Sequence, residues 1–171
     1  RKENIGRTVD FAAGRNRYIG YLISIATRSF KGKKVGLDCA NGSASAIAKN
    51  VFDALGAETH VINNQPNGLN INTDCGSTHI QYLQKFVTDN KCDLGFAYDG
   101  DADRCLIVDE TGEELDGDRI MAVCAAHMKK QGKLRGGAFV ATILSNMGLH
   151  AYAEKNAAPI NPVALTLVPA K

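Results

Sequence analysis

Two strand-like runs that only six residues separate constrain the fold more than any other feature of the sequence. The first is DLGFAY, residues 93–98, and the second is CLIV, residues 105–108. A parallel pair needs a crossover of a dozen residues or more, so these strands are predicted to be antiparallel neighbours. The connecting loop holds three aspartates at alternate positions with an arginine directly behind them: Asp99, Asp101, Asp103 and Arg104.

The part of the chain before this pair predicts a strand–helix–strand unit. Residues 35–39, VGLDC, are a short apolar run typical of a buried strand. Helical spacing over 46–55 ends at Gly56, and residues 58–62, ETHVI, have the composition of a second strand. Such units are almost always right-handed, with parallel strands. Helical spacing resumes over residues 79–88, so the sequence predicts an α/β fold with one antiparallel strand.

Apolar spacing predicts further elements near both ends of the chain. A helix is expected over residues 15–29, with an apolar face made of Tyr18, Tyr21, Leu22, Ile25 and Ala26. A second helix is expected over 118–130, and Asp116 and Asp118 are expected to cap its start. A strand over 138–143 and a helix-like stretch over 145–156 follow, whereas residues 157–171 show no clear period.

Composition excludes several classes of protein. The 171 residues are enough for one domain and part of another. A net charge of +2 gives no indication of a nucleic acid or an anionic membrane as partner. No apolar run is long enough to cross a bilayer, and the polar start predicts no signal peptide. The five cysteines are scattered without metal-ligand spacing, which favours reduced thiols in a cytoplasmic protein.

The acidic loop can hold a cation only if it curls. In an extended strand Asp99 and Asp103 would lie roughly 13 Å apart. The small residues Gly100 and Ala102 let the loop bring the carboxylates together, and clustered carboxylates have raised pKa values unless a cation compensates them. A hard divalent cation such as Mg²⁺ is the natural partner. Arg104 could then grip a phosphate while the metal takes another of its oxygens.

Two other interpretations of this loop stay open at the level of the residues. One is a surface acidic turn in which Arg104 forms a local salt bridge. The other is a calcium-binding EF-hand loop, in which the three aspartates and Glu110 would occupy the first, third, fifth and twelfth positions. Arg104 stands where an EF-hand needs glycine, and the flanking runs predict strands rather than helices.

Several motifs together resemble the α-D-phosphohexomutase family over residues 10–155. They are DCANG at 38–42, GLNIN at 68–72, CGSTH at 75–79, FAYDGDADR at 96–104, LDGD at 115–118 and SNMGL at 145–149. Within that family the chain is most similar to the branch that interconverts glucosamine 6-phosphate and glucosamine 1-phosphate, on the route to cell-wall precursors. The branches acting on mannose and glucose phosphates are the alternative, and a non-catalytic calcium-binding module is a more distant one.

The resemblance implies a fold and a division of the chain. The fold is a three-layer α/β/α sandwich with a four-stranded mixed sheet whose fourth strand is antiparallel. Members have four domains, so residues 1–135 would be the second, metal-binding domain. Residues 136–171 would be the truncated start of the third, with a tail after Asn156 that does not match the family.

The resemblance also assigns roles. Asp99, Asp101 and Asp103 would be Mg²⁺ ligands, and Arg104 would contact the phosphate or the substrate. Ala102 replaces the glycine usual in the family's metal loop. The phosphoserine that exchanges phosphate lies in the first domain, so no catalytic residue is expected here and the chain alone is predicted to be inactive. Its implied partners are a phosphorylated hexosamine and the missing domains, not nucleic acid or a membrane.

Overall fold

The structure is a computed structural model that describes residues 9–156 and 160–163. The described residues divide into two compact units, one up to Glu114 and one from Leu115 onward. The predicted division after residue 135 stays a prediction. None of the helices among the described residues has the length and apolar character that a membrane span requires.

The first unit alternates helices and strands, as the sequence predicts. Its helices are α1 (Ala12–Ile25), α2 (Ala48–Ala54) and α3 (Gln81–Asn90), and short 3₁₀ turns span Ser43–Ala46 and Gly76–His79. Its strands are β1 (Lys34–Asp38), β2 (Glu58–Ile62), β3 (Leu94–Tyr98) and β4 (Cys105–Asp109), and β5 (Glu114–Leu115) lies where the unit ends.

The strands form one mixed sheet in the order β2-β1-β3-β4-β5. Strand β1 is parallel to both β2 and β3, and β3 is antiparallel to β4, with Phe96 opposite Ile107. The α/β class and the antiparallel hairpin are therefore confirmed. The sheet has five strands rather than the expected four, because β5 is only two residues long and so short a strand shows no period in the sequence.

Apolar residues fill both faces of this sheet. One face packs Val35 and Leu37 against residues of the 43–46 turn and α2, together with Phe52 and Phe96. The other face packs Ala97 and Val108 against α3. The helices thus lie on the two sides of the sheet, and the predicted three-layer α/β/α arrangement is confirmed.

Helix α3 lies unusually close to the sheet. A Cβ atom built at Gly95 would lie 2.5 Å from Cγ2 of Val87 and 3.0 Å from Cγ of Leu83. Glycine inside a strand often marks such a close approach. The fully buried Leu83 and Val87 therefore fix α3 directly beneath β3, the strand that leads into the acidic loop.

Helix α1 corrects the face predicted for it. Tyr18, Tyr21 and Ile25, which were expected to be apolar contacts, are about half exposed or more, whereas Ile19 is buried. The helix packs mainly against α2. Because this contact is narrow, it covers only part of a helix that is apolar on more than one side.

The second unit contains α4 (Gly117–Lys130), β6 (Phe139–Thr142), α5 (Met147–Lys155) and β7 (Ile160–Val163), with β6 and β7 parallel. Strand β7 was not predicted. The side chain of Asp116 accepts the N–H of Arg119 at 2.8 Å, so the predicted cap of α4 is confirmed. Asp118 instead accepts the N–H of Asn146 at 2.7 Å and ties the starts of α4 and α5 together. The tail at 164–171 lies outside the described residues.

Candidate metal centre

The acidic loop is the tip of the β3–β4 hairpin. Tyr98 and Cys105 are the last paired residues, so residues 99–104 form the whole turn. The N–H of Ala102 donates to the carbonyl of Asp99 at 3.0 Å, and the N–H of Arg104 donates to Oδ1 of Asp99 at 3.1 Å. These bonds curl the loop back on itself, as a shared cation site requires.

The curl brings the three carboxylates together. Asp99, Asp101 and Asp103 each offer an oxygen, and these oxygens lie within 4.8 Å of one another. Asp99 is buried, with 1% of its surface exposed, whereas Asp101 and Asp103 are exposed. The cluster therefore has a fixed inner carboxylate and two outer carboxylates that can rotate.

Arg104 partly compensates the charge of the inner carboxylate. Its Nε donates to Oδ2 of Asp99 at 2.7 Å and lies 3.7 Å from Oδ1 of Asp103. The local salt bridge considered from the sequence is thus present. Each carboxylate oxygen can accept from more than one partner, so this ion pair leaves Asp99 with lone pairs for a cation. The contact between Arg104 and a phosphate stays a prediction.

The pKa values show where charge remains uncompensated. Burial has the largest single effect on the pKa of Asp99 and raises it, but the hydrogen bonds with Arg104 and Asp103 and the charge of Arg104 together hold that pKa below its ordinary value. The pKa of Asp103 is raised, because it shares a hydrogen bond with Asp99 and is repelled by Asp101. The outer part of the cluster therefore carries the unrelieved repulsion that a divalent cation would remove.

The geometry does not fit an EF-hand. The loop is flanked by strands β3 and β4, and Arg104 occupies the position that needs a glycine. Glu110 follows the far end of β4, six residues beyond Arg104 and about 20 Å from it along the strand. It cannot reach the three aspartates as the bidentate twelfth ligand.

Two neighbouring loops, which contain Gly42 and Ile71, pack closely against Gly100 of the acidic loop. A Cβ atom at Gly42 would lie 2.7 Å from Cα of Gly100, and one at Gly100 would lie 2.6 Å from Cδ1 of Ile71. The N–H of Ser43 also donates to the carbonyl of Gly100 at 2.9 Å. The loops that follow β1 and β3 therefore contact each other. Between these two strands the strand order of the sheet changes direction, and ligands bind at such switch points in open α/β sheets.

Sequence reasoning placed the three aspartates and noted Asp38 at the end of a predicted strand, but it did not predict that Gly42 and Gly76 pack next to the acidic loop. The motifs DCANG and CGSTH had pointed to these positions, but nothing in the spacing showed that they touch the acidic loop. The only available signal was their place at or after predicted strand ends.

Ala102 is strained. Its φ is +60°, in the left-handed region that disfavours residues with a Cβ atom by about 1–2 kcal/mol. We expect Ala102→Gly to raise the free energy of unfolding by about 0.5–1 kcal/mol, since the relief of strain exceeds the extra entropy of glycine in the unfolded chain. Urea denaturation measures this change.

The matched control is Ala54→Gly at the end of α2, where no such strain exists and glycine is expected to destabilise. If Ala102→Gly lowers stability as Ala54→Gly does, the left-handed backbone does not strain Ala102.

Comparison with family models agrees with this fold. Residues 16–112 match "Phosphoglucomutase/phosphomannomutase, alpha/beta/alpha domain II", and residues 116–164 match "alpha/beta/alpha domain III" of the same family. The first match alone covers more than half of the chain.

Similar proteins include curated bacterial ones. The phosphoglucosamine mutase of Lachnoclostridium phytofermentans is 65% identical over 148 residues, which are 86% of this chain and 33% of that protein. That of Acetivibrio thermocellus is 49% identical over 153 residues, 90% of this chain and 34% of that protein. The chain thus spans about a third of the length of these relatives.

Solved structures share the fold at lower identity. A phosphoglucomutase/phosphomannomutase family protein from Burkholderia thailandensis superposes with a TM-score of 0.75 at 20% identity, covering 89% of this chain and 33% of that one. An N-acetylglucosamine-phosphate mutase superposes with a TM-score of 0.62 at 18% identity, covering 91% of this chain and 37% of that one.

Proposed function

The chain belongs to the phosphoglucomutase/phosphomannomutase family, and from that premise we propose that it is part of a phosphoglucosamine mutase. The whole protein would interconvert glucosamine 6-phosphate and glucosamine 1-phosphate. One observation carries the proposal: three carboxylates converge at the strand ends of a chain that is 65% identical over 148 residues to a phosphoglucosamine mutase.

We further propose that Asp99, Asp101 and Asp103 hold Mg²⁺. All the candidate ligands are carboxylate oxygens, which a hard cation prefers. Oxygens around an octahedral Mg²⁺ lie about 3–4 Å apart, so the present separation of up to 4.8 Å needs only a small inward rotation of the exposed Asp101 and Asp103. When bound, the ion would neutralise charge on the phosphoryl group in transfer.

The remaining residues of the loop have supporting roles in the proposal. Arg104 holds Asp99 by its Nε, and the side chain is 71% exposed, so its outer nitrogens can turn toward a substrate phosphate. The buried Asp99 would set the position of the ion, because backbone bonds fix it to the turn. The phosphoryl group itself would be supplied by a residue in another part of the protein.

Because the chain spans about a third of the length of its relatives, we assign some roles to this chain and the others to the rest of the protein. We propose that the region matched over residues 16–112 forms the metal-binding second domain and that the region matched over residues 116–164 begins the third. The phosphoserine and the rest of the sugar site would lie in other parts of the protein, so the chain alone is expected to be inactive. A cytoplasmic location is proposed on the five cysteines, none of which is paired.

A chimeric enzyme tests the proposed function. Residues 10–155 replace the matching segment of the Lachnoclostridium phytofermentans phosphoglucosamine mutase, which supplies the remaining domains. The chimera is expected to convert glucosamine 6-phosphate in the presence of Mg²⁺. Asp101→Asn in the chimera is expected to lower kcat by about 100-fold or more, since a charge that holds the metal is lost.

The matched control is Asp89→Asn, an exposed residue of α3 whose recorded partner is Lys85 at 2.6 Å. It makes the same chemical change and should leave kcat unaltered. A folded chimera without mutase activity would contradict the proposed enzyme. A fully active Asp101→Asn chimera would contradict the role of the loop.

A further inference from the structure

Asp38, the last residue of β1, is a buried acid outside the acidic loop. It is completely buried, and Asp99 is the only other acidic residue buried to this degree among the described residues. Both of its carboxylate oxygens are occupied. Oδ1 accepts the N–H of Ala40 at 2.9 Å, and Oδ2 accepts the N–H of Gly76 at 2.9 Å.

The Gly76 bond reaches the backbone that leads into the acidic loop. Gly76 has a φ of +73°, and a Cβ atom there would collide with the carbonyl oxygen of Tyr98 and lie 2.5 Å from Cβ of Ala40. Tyr98 directly precedes Asp99. Asp38 therefore holds the start of the 76–79 turn against the residue that positions the inner carboxylate.

The Ala40 bond reaches the same loop from the other side. Ala40 is held at a left-handed φ of +51°, and its carbonyl accepts the N–H of Asn72 at 3.0 Å. Asn72 in turn packs against Gly100: a Cβ atom built at Gly100 would lie 2.8 Å from Nδ2 of Asn72. A single carboxylate thus anchors two segments, one next to Tyr98, which leads into the acidic loop, and one next to Gly100 within that loop.

We propose that Asp38 is a positioning residue for the metal centre, acting through these two backbone contacts without touching the ion. The inference rests on the proposed metal-binding role of the loop. An ionised carboxylate presents an acceptor to both N–H groups, and such charge-assisted bonds are stronger than neutral ones. Asparagine has one oxygen and one NH₂, so it would leave one of the two N–H groups facing a donor.

The test compares Mn²⁺ binding by the wild-type chain, Asp38→Asn and Asp93→Asn, followed by electron paramagnetic resonance. Asp93 is a matched control, because its Oδ2 also accepts a backbone N–H, that of Lys34 at 2.8 Å, but at the opposite end of the sheet. We expect about 10-fold or greater loss of Mn²⁺ affinity for Asp38→Asn, the range found when residues supporting metal ligands are changed. Asp93→Asn should stay within about twofold of wild type.

The outcomes separate the two proposals. A wild-type chain that binds no Mn²⁺ would overturn the metal site itself. Binding by wild type and equally tight binding by folded Asp38→Asn would overturn only the role of Asp38. Equal weakening by Asp93→Asn would also overturn it, since general loss of stability would then explain the effect.

Amide exchange in the wild-type chain decides the matter if Asp38→Asn does not fold. Coupling between two sites is reciprocal. If the two hydrogen bonds of Asp38 favour metal binding, metal binding must therefore stabilise these hydrogen bonds by the same free energy. Saturating Mg²⁺ is expected to slow hydrogen exchange at the N–H groups of Ala40 and Gly76 but not at Lys34, which is bonded to Asp93. Unchanged exchange at Ala40 and Gly76 would overturn the proposal.

Discussion

Replacing Gly42 with alanine is expected to lower the free energy of unfolding by about 3 kcal/mol and to weaken metal binding. The added Cβ would meet the carbonyl oxygen of Gly100 and lie 2.7 Å and 2.8 Å from its Cα and carbonyl carbon. These are backbone atoms, so no flexible side chain can move aside, and overpacking of this kind typically costs 1–3 kcal/mol or more. Urea denaturation and Mn²⁺ titration measure the two effects.

Gly20→Ala provides the matched control for this substitution. Gly20 lies within α1, and a Cβ atom there meets nothing within 4 Å. Alanine is a better helix former than glycine, so this variant is expected to gain about 0.5–1 kcal/mol. If Gly42→Ala is as stable as Gly20→Ala and binds metal as well as wild type, the loops after β1 and β3 do not press on each other as described.

Leu83→Ala is expected to lower the free energy of unfolding by about 3–5 kcal/mol. Leu83 is fully buried in α3 and would contact any side chain placed at Gly36 or Gly95 on the sheet. Removing its branched end leaves a cavity under β1 and β3. The free-energy cost of this cavity adds to the free energy lost with the hydrophobic burial. Since small proteins are only marginally stable, the variant should unfold at much lower urea concentration.

Leu69→Ala is the control, because Leu69 is 90% exposed and its truncation should change stability by less than about 0.5 kcal/mol. A loss below about 1 kcal/mol for Leu83→Ala would contradict the close packing of α3 on the sheet.

The hairpin was predictable because its information is local. A six-residue connection excludes a crossover, and the strand residues on both sides are clear, so β3 and β4 begin and end within one residue of the predicted positions. The convergence of the aspartates followed from the small residues between them. Ala102, which stands where the family's metal loop usually has glycine, has a positive φ.

Other features depend on contacts between distant residues and could not be predicted. The bond between Asp38 and Gly76 joins positions 38 residues apart. The buried side of α1 depends on its packing against α2, and a helix with apolar residues on several sides does not reveal which side is covered. Strand β5 owes its existence to its neighbour β4, because two residues carry no pattern of their own.

A titration of the chain with Mn²⁺, followed by electron paramagnetic resonance, tests most directly whether three carboxylates bind one divalent cation. We predict a single saturable site that Mg²⁺ displaces and that the double variant Asp101→Asn/Asp103→Asn loses. The control is the double variant Asp53→Asn/Asp89→Asn, which removes the same number of negative charges from two ion pairs on helix surfaces, those with Lys49 and Lys85. It should bind Mn²⁺ as tightly as the wild-type chain. No saturable binding, or equal binding by both double variants, would contradict the metal centre.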